Sequence, residues 1–289
     1  REPPRCERPD VAGVCVSPLD GHGDGCVSCD LQWEMESFYS ADKIIYEVNP
    51  HIPHRPGDCA LPVAMADVII ESDLSLYELQ DPPIGEAEKA VAGYAAEMVH
   101  DGDCIQLGFG GIPNAIGFEL MNRHDLGIHT EQIGASMAHM LQQGVVTNRY
   151  TTLDRGWSVG AFIIADSVTY IYLNNHPRVM MRRGRYTNDP MIIAQQDNMV
   201  SINAALQIDL TGQVAAEAIA NVQRSGTGGA TDYAYGAYHS KGGRAMLCQI
   251  STAKKGTVSR LASILDPGSI VSVSSITTDL VVTEVGVAK

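Results

Sequence analysis

Short apolar runs alternate along this chain with stretches of helical periodicity, and Gly and Pro punctuate the joins. Lys43-Ile44-Ile45-Tyr46-Glu47-Val48 and Val68-Ile69-Ile70-Glu71 are short and rich in β-branched side chains, so they read as strands. Over residues 86–100 the apolar positions Ala87, Ala90, Val91, Tyr94, Ala95 and Met98 recur at helical spacing, which predicts a helix. Asp101-Gly102-Asp103 ends it, and the mostly apolar run Cys104 to Leu107 is the next strand. Two more helices are predicted over residues 114–121 and 136–143, the second closed by Gly144, and a short one over 215–220. Further strands are predicted at 161–164, 168–173, 246–250, 270–273 and 279–284. This alternation is the βαβ signature of an α/β protein. The stretch 78–85, with Asp81-Pro82-Pro83, reads as a linker dividing the chain into domains of residues 1–85 and 86–289.

Composition narrows the class. The chain has 289 residues, 45% apolar and 19% charged, the balance of a core-forming globular protein. Its net charge of −14 argues against a nucleic-acid surface, which needs basic patches. The longest apolar stretches are far below the ~20 residues of a membrane span. The first residues, Arg1-Glu2-Pro3-Pro4-Arg5, are polar, show no hydrophobic signal core and lack an initiator Met, as in a fragment or processed chain. Seven irregularly spaced cysteines favour free thiols in a reducing cytoplasm. Cys26-x-x-Cys29 has no second close pair to complete a zinc site and no helix start to activate a thiol, so it reads as two cysteines near a strand.

The candidate chemistry lies in three segments. Gly108-Phe109-Gly110-Gly111-Ile112-Pro113 turns from a strand into a helix, and Ser225-Gly226-Thr227-Gly228-Gly229 is a second glycine-rich turn. Such turns present bare backbone N–H groups, which suit phosphates and developing oxyanions. The first is neither Gly-x-Gly-x-x-Gly nor a Walker loop, and by itself a structural turn reads equally well. Between the two stands Leu126-Gly127-Ile128-His129-Thr130-Glu131. A carboxylate at a strand end facing amides can be a nucleophile; taken alone, it is an exposed strand-end charge. His129, two residues away, would share its face on a strand and is a weaker candidate for a general base. The Asn188-Asp189 and Asp197-Asn198 pairs read as turns that shape a pocket. No metal cluster and no Ser-His-Asp arrangement stands out.

Several segments, in order, resemble the acetyl-CoA hydrolase/transferase family, in its 4-hydroxybutyrate and butyrate CoA-transferase branch. They include Ser17-Pro18-Leu19-Asp20-Gly21-His22-Gly23, Glu47-Val48-Asn49-Pro50, the glycine turn through Pro113-Asn114-Ala115, and Tyr186-Thr187-Asn188-Asp189-Pro190. The run from Ile193 to Asn203, Asp209-Leu210-Thr211-Gly212-Gln213-Val214, Gly228-Gly229-Ala230-Thr231-Asp232, Ser240-Lys241-Gly242-Gly243 and Ser251-Thr252-Ala253-Lys254 continue it. The resemblance implies two related open-sheet domains of the CoA-transferase type, the first incomplete, with the active site at strand C-terminal ends in the cleft between them. It implies that Glu131 attacks an acyl-CoA and passes through an acyl anhydride to a glutamyl-CoA thioester. Gly108, Phe109, Gly110, Gly111 and Ile112 would hold CoA, and Gly228 and Gly229 would supply a second amide surface. Leu206 would contact CoA, and Lys241 would neutralise a CoA phosphate. No permanently bound cofactor is implied: coenzyme A is a substrate, the partners are an acyl-CoA and a short-chain carboxylate, and the protein is expected to be a cytoplasmic homodimer that binds neither nucleic acid nor membrane.

The chain also departs from the family pattern. Gln132-Ile133-Gly134-Ala135-Ser136-Met137-Ala138-His139 replaces a hydrophobic and acidic stretch after the glutamate, and Val285 replaces an aromatic. A further N-terminal portion and a C-terminal extension of the family are expected to be missing. Two other readings stay open: a hydrolase, in which water attacks the same glutamyl thioester, and an inactive CoA-binding paralogue, which these departures motivate.

Overall fold

The computed structural model describes residues 9–79 and 83–289. Part of the predicted linker, residues 80–82, therefore lies outside the described residues, as does the N-terminal Arg1–Arg5 segment. The chain forms two compact units that are interleaved in sequence: Arg1–Gln80 with Gln132–Gly134 and Val159–Thr187, and Asp81–Glu131 with Ala135–Ser158 and Asn188–Lys289. Both are α/β with open sheets.

Unit 1 is built on three parallel strands in sequence order, β1 (Val11–Val16), β2 (Lys43–Val48) and β3 (Val68–Glu71). Helix α1 (Glu34–Ser40) buries Met35 and Phe38, and Phe38 meets the Tyr46 ring of β2 edge-on at 6.5 Å. A separate antiparallel pair, Asp24–Cys26 with Ala60–Pro62, closes around buried Cys26, Cys59 and Leu61.

Unit 2 carries the larger sheet. Helix α2 (Glu86–Glu97) precedes β4 (Cys104–Leu107), α3 (Gly111–Glu119), β5 (Gly127–Ile128) and α4 (Ala135–Gln142). Then come β6 (Met199–Ala204), α5 (Ala230–His239), β7 (Arg244–Cys248), β8 (Leu280–Thr283) and β9 (Gly286–Ala288). The strand order is β9-β8-β7-β6-β4-β5, all parallel except the β8–β9 hairpin. The central strands are buried almost throughout, which explains why they read as continuous apolar runs without alternation. From β4 the chain moves one way to β5, and from β6 it moves the opposite way to β7. Right-handed crossovers then put α3 and α5 on opposite faces. Contacts agree: α3 packs on α2 and α4, whereas α5 packs on the short helix Pro190–Ile193.

Four predicted elements differ. Residues 168–173, expected as a strand, belong to the helix Ser167–Leu173. Asp166 caps it by accepting from the Thr169 N–H at 2.8 Å, and Tyr170 and Leu173 are buried while Val168 and Ile171 are 71% and 76% exposed. That is a helical period hidden in a β-branched run. Residues 215–220, expected as a helix, form the short strands Val214–Ala215 and Ala218–Ile219. Residues 161–164 and 270–273 make only isolated bridges, at Phe162 and Val273. Among the described residues no helix is long and apolar enough to cross a membrane.

Candidate active site

The sheet of unit 2 decides where a ligand can sit. Its strand order reverses between β4 and β6, so the loops leaving their C-terminal ends diverge and open a crevice. The Gly108–Ile112 turn leaves β4 there, and Ala205-Leu206 leaves β6. Gly108 donates its N–H to the Ile202 carbonyl at 2.8 Å, and a Cβ at this position would stand 2.5 Å from Asn203 Oδ1. Only glycine allows that approach. Gly110 has φ +121 and caps α3, so Gly111 and Ile112 fall in the first helical turn, where N–H groups have no intrahelical acceptor. Asn114 Oδ1 accepts from the Ser136 N–H at 3.2 Å and ties the turn to the start of α4. Phe109 is exposed.

Beneath the turn is a buried polar network. Gln106 on β4 and Asn203 on β6 exchange amide hydrogen bonds of 3.0 Å in both directions, and Ser201 donates to Gln106 Oε1 at 3.0 Å. Each side chain faces its neighbour across the parallel pair, in the register Ser201↔Gln106. Polar groups this deep are tolerated because they satisfy one another, and together they fix the β4 exit against the β6 exit.

Glu131 stands just beyond β5 on the same edge of the sheet. His129 and Thr130 before it are fully buried, and the His129 N–H donates to the Ile105 carbonyl at 3.3 Å, prolonging the strand pairing. The glutamate itself is half-buried. Its carboxylate lies against the backbone of Gly229, the residue that caps α5: a Cβ there would overlap Glu131 Oε2 and sit 2.6 Å from Asn188 Nδ2. Gly228, with φ +59, bends the chain into this approach. A helix N-terminus favours a nearby anion through its unpaired N–H groups and dipole. One turn into α5, burial and the neighbouring carboxylates of Glu131 and Asp189 push the Asp232 carboxyl up to about 6.

The structure thus brings Gly108, Phe109, Gly110, Gly111, Ile112, Leu206, Glu131, Gly228 and Gly229 to the C-terminal edge of one sheet. Lys241 is not brought there. It precedes β7, its carbonyl accepts from the Asn198 N–H just before β6, and its 88% exposed side chain lies 3.8 Å from Asp197, at the opposite strand ends. His129 is wholly buried, with its ring 6.3 Å from that of Tyr233. Asn188 and Asp232 join the glutamate's surroundings. Of these, Asn188 was read only as a turn, and Asp232 carried no role, although it lies in the Gly228-to-Asp232 motif. Among the described residues no group of three or more His, Cys, Asp or Glu is placed to hold a metal ion.

Known proteins share this open, mostly parallel α/β architecture. Residues 166–289 match the model of the acetyl-CoA hydrolase/transferase C-terminal domain. The chain is 42% identical, over 97% of its length and 64% of the relative's, to a succinyl-CoA:cyclohexane-1-carboxylate CoA transferase of Geobacter metallireducens. The crystal structure of RipA from Yersinia pestis superposes with a TM-score of 0.93 at 40% identity, covering 97% of this chain and 63% of that one. A 4-hydroxybutyrate CoA-transferase from Porphyromonas gingivalis superposes with a TM-score of 0.87 at 32% identity, covering 98% and 67%. The chain belongs to the acetyl-CoA hydrolase/transferase family. It spans a little under two thirds of the length of the curated relatives it matches.

Proposed function

We propose that the chain carries the catalytic glutamate of a CoA-transferase, which moves CoA between an acyl-CoA and a short-chain carboxylate. The observation that carries this reading is the Glu131 carboxylate seated on the Gly229 backbone at a helix N-terminus, on the same sheet edge as the Gly108–Ile112 turn. The relatives are named for CoA transfer involving succinyl-CoA, cyclohexane-1-carboxylate and 4-hydroxybutyrate, which supports the substrate classes.

Glu131 would attack the thioester carbonyl of the acyl-CoA, forming a C–O bond and expelling CoA thiolate to leave a mixed anhydride. The thiolate then attacks the glutamyl carbonyl, releasing the donor carboxylate and leaving a glutamyl-CoA thioester. An incoming carboxylate retraces the two steps, so no net proton or electron is exchanged. Each attack raises an oxyanion, and the amides at the starts of α3 and α5 are the groups that can hold one. Leu206 would line the CoA path. Cytoplasmic location and a homodimer remain part of the proposal.

The test is Glu131→Gln, which keeps the shape and removes the nucleophile. Transfer from acetyl-CoA to butyrate is expected to fall by on the order of 10^4-fold with circular dichroism unchanged. Retained transfer in that variant would refute the assignment.

A further inference from the structure

Unit 1 contains a buried group of reactive side chains that the proposed reaction does not use. In the antiparallel pair Asp24–Cys26 and Ala60–Pro62, Cys26 stands opposite Ala60, and the Val27 N–H donates to the Cys59 carbonyl at 2.9 Å. This sets Cys26 Sγ 2.9 Å from Cys59 Sγ, both residues being 1% exposed. The two are 33 residues apart in sequence, so the Cys26-x-x-Cys29 spacing conceals the true neighbour.

Arg55, 2% exposed, adjoins them: its carbonyl accepts from the Cys26 and Cys59 thiols at 3.5 and 3.2 Å. Its Nη1 donates to the Leu173 carbonyl at 2.7 Å, while Nε and Nη2 have no hydrogen-bond partner. Burial lowers the guanidinium to about 10, so it stays charged at neutral pH. A buried cation needs an anion. Among the described residues, the groups whose negative charge would favour it are Cys29, Cys26, Cys59 and Tyr170. Burial pushes Cys29 up to about 11 and also raises Tyr170. Cys59 differs from Cys26: its thiol donates to the Arg55 carbonyl at 3.2 Å, and the contact between the two sulfurs lowers Cys26 and raises Cys59. Cys26 is therefore the group best placed to carry the charge that Arg55 lacks.

We propose that Cys26 and Cys59 form a redox-active dithiol, with Cys26 the reacting thiolate, Arg55 its buried counter-ion and Cys59 the resolving thiol, and that a small hydroperoxide converts the pair to a disulfide. Cys26 sulfur attacks one peroxide oxygen and the O–O bond breaks. The departing oxygen takes up a proton as water or alcohol, and Cys26 is left as a sulfenic acid. The Cys59 sulfur then attacks Cys26, an S–S bond forms and the S–O bond breaks, and hydroxide leaves with the Cys59 proton as water. The peroxide is reduced, the two sulfurs are oxidised, and a dithiol reductant reverses the change.

The test treats the 289-residue chain with hydrogen peroxide at neutral pH, alkylates the remaining thiols after unfolding, and maps peptides without reductant. Exposed Cys15 is the internal control, because burial of its thiol and the neighbouring Glu47 push it up to about 11 and leave it a poor nucleophile. A peptide linking residues 26 and 59 is expected before Cys15 is oxidised, and it should disappear with dithiothreitol. Cys59→Ser is expected to leave Cys26 as a sulfenic acid that dimedone traps. Arg55→Met is expected to slow the linkage relative to the unaltered chain, because the nearby positive charge favours the Cys26 thiolate. Recovery of both Cys26 and Cys59 as alkylated thiols after Cys15 has been oxidised would overturn the proposal. So would a Cys59→Ser protein without the dimedone adduct on Cys26.

Discussion

At residue 229 the absence of a side chain is what lets a carboxylate rest on a helix N-terminus. Gly229→Ala would drive a methyl group into Glu131 and Asn188. Residue 229 has φ −94, which any residue can adopt, so the substitution should leave the fold intact and displace only the Glu131 and Asn188 side chains. Transfer is expected to fall by about 100-fold, the scale of a misplacement near 1 Å, with an unchanged unfolding midpoint. A variant with full activity would show that the close packing at Gly229 is dispensable. Asp232 gives a second residue-scale prediction. Its value in the folded protein, about 6, lies above its ordinary 3.8, so the penalty on its charged form is complete above pH 6 and fades as pH falls toward 4. Asp232→Asn is therefore expected to raise the melting temperature at pH 8 and leave it unchanged at pH 4; the reverse order would contradict the burial argument. The strand-end position of Glu131 was legible in the run Leu126 to Thr130 that precedes it. The environment of Asp232 was not, because its shift comes from burial and then from Glu131 and Asp189, which are distant in sequence. Lys241 shows the opposite failure: a cation in a glycine-rich motif attracted a phosphate role, yet chain order alone does not tell which end of a strand it occupies.

Among the elements, the long periodic stretches were readable and the short β-branched ones were not. Helix α2 and strands β2, β4 and β7 follow the predicted pattern closely, since period and burial agree there. The helix Ser167–Leu173 was misread because Val168, Thr169, Tyr170 and Ile171 favour strands as isolated residues. Its Asp166 cap and its buried Tyr170 and Leu173 override that preference. Asp166→Ala is expected to destabilise unit 1 by about 1 kcal/mol in urea unfolding, as for other N-caps. No loss would mean that burial alone holds the helix. The Gln106–Ser201–Asn203 network was likewise invisible, because its members lie nearly a hundred residues apart and meet only when β4 and β6 pair. Asn203→Ala leaves the Gln106 amide buried without its partner, which should cost about 1–3 kcal/mol. Activity is also expected to drop, because the Gly108 turn loses its support. A loss of stability without loss of activity would separate the network from the site.

For the molecule as a whole, strand-helix alternation predicted an α/β protein, and the ordered motifs pointed to the family that the matches then supported. The spatial order β5-β4-β6-β7-β8 was not contained in that pattern. It arises from pairing between distant strands and the handedness of their crossovers, and it places the reversal of strand order beside the glycine turns. The buried dithiol of unit 1 belongs to the same category: Cys26 and Cys59 are brought together by an antiparallel pair that their local sequence does not announce. The covalent role of Glu131 is open to mass spectrometry after treatment with acetyl-CoA and borohydride. Borohydride reduces a glutamyl thioester to an alcohol, so the peptide containing residue 131 should lose an oxygen and gain two hydrogens. That mark on Glu131 is the predicted result. Binding of acetyl-CoA with an unmodified Glu131 peptide would contradict the account.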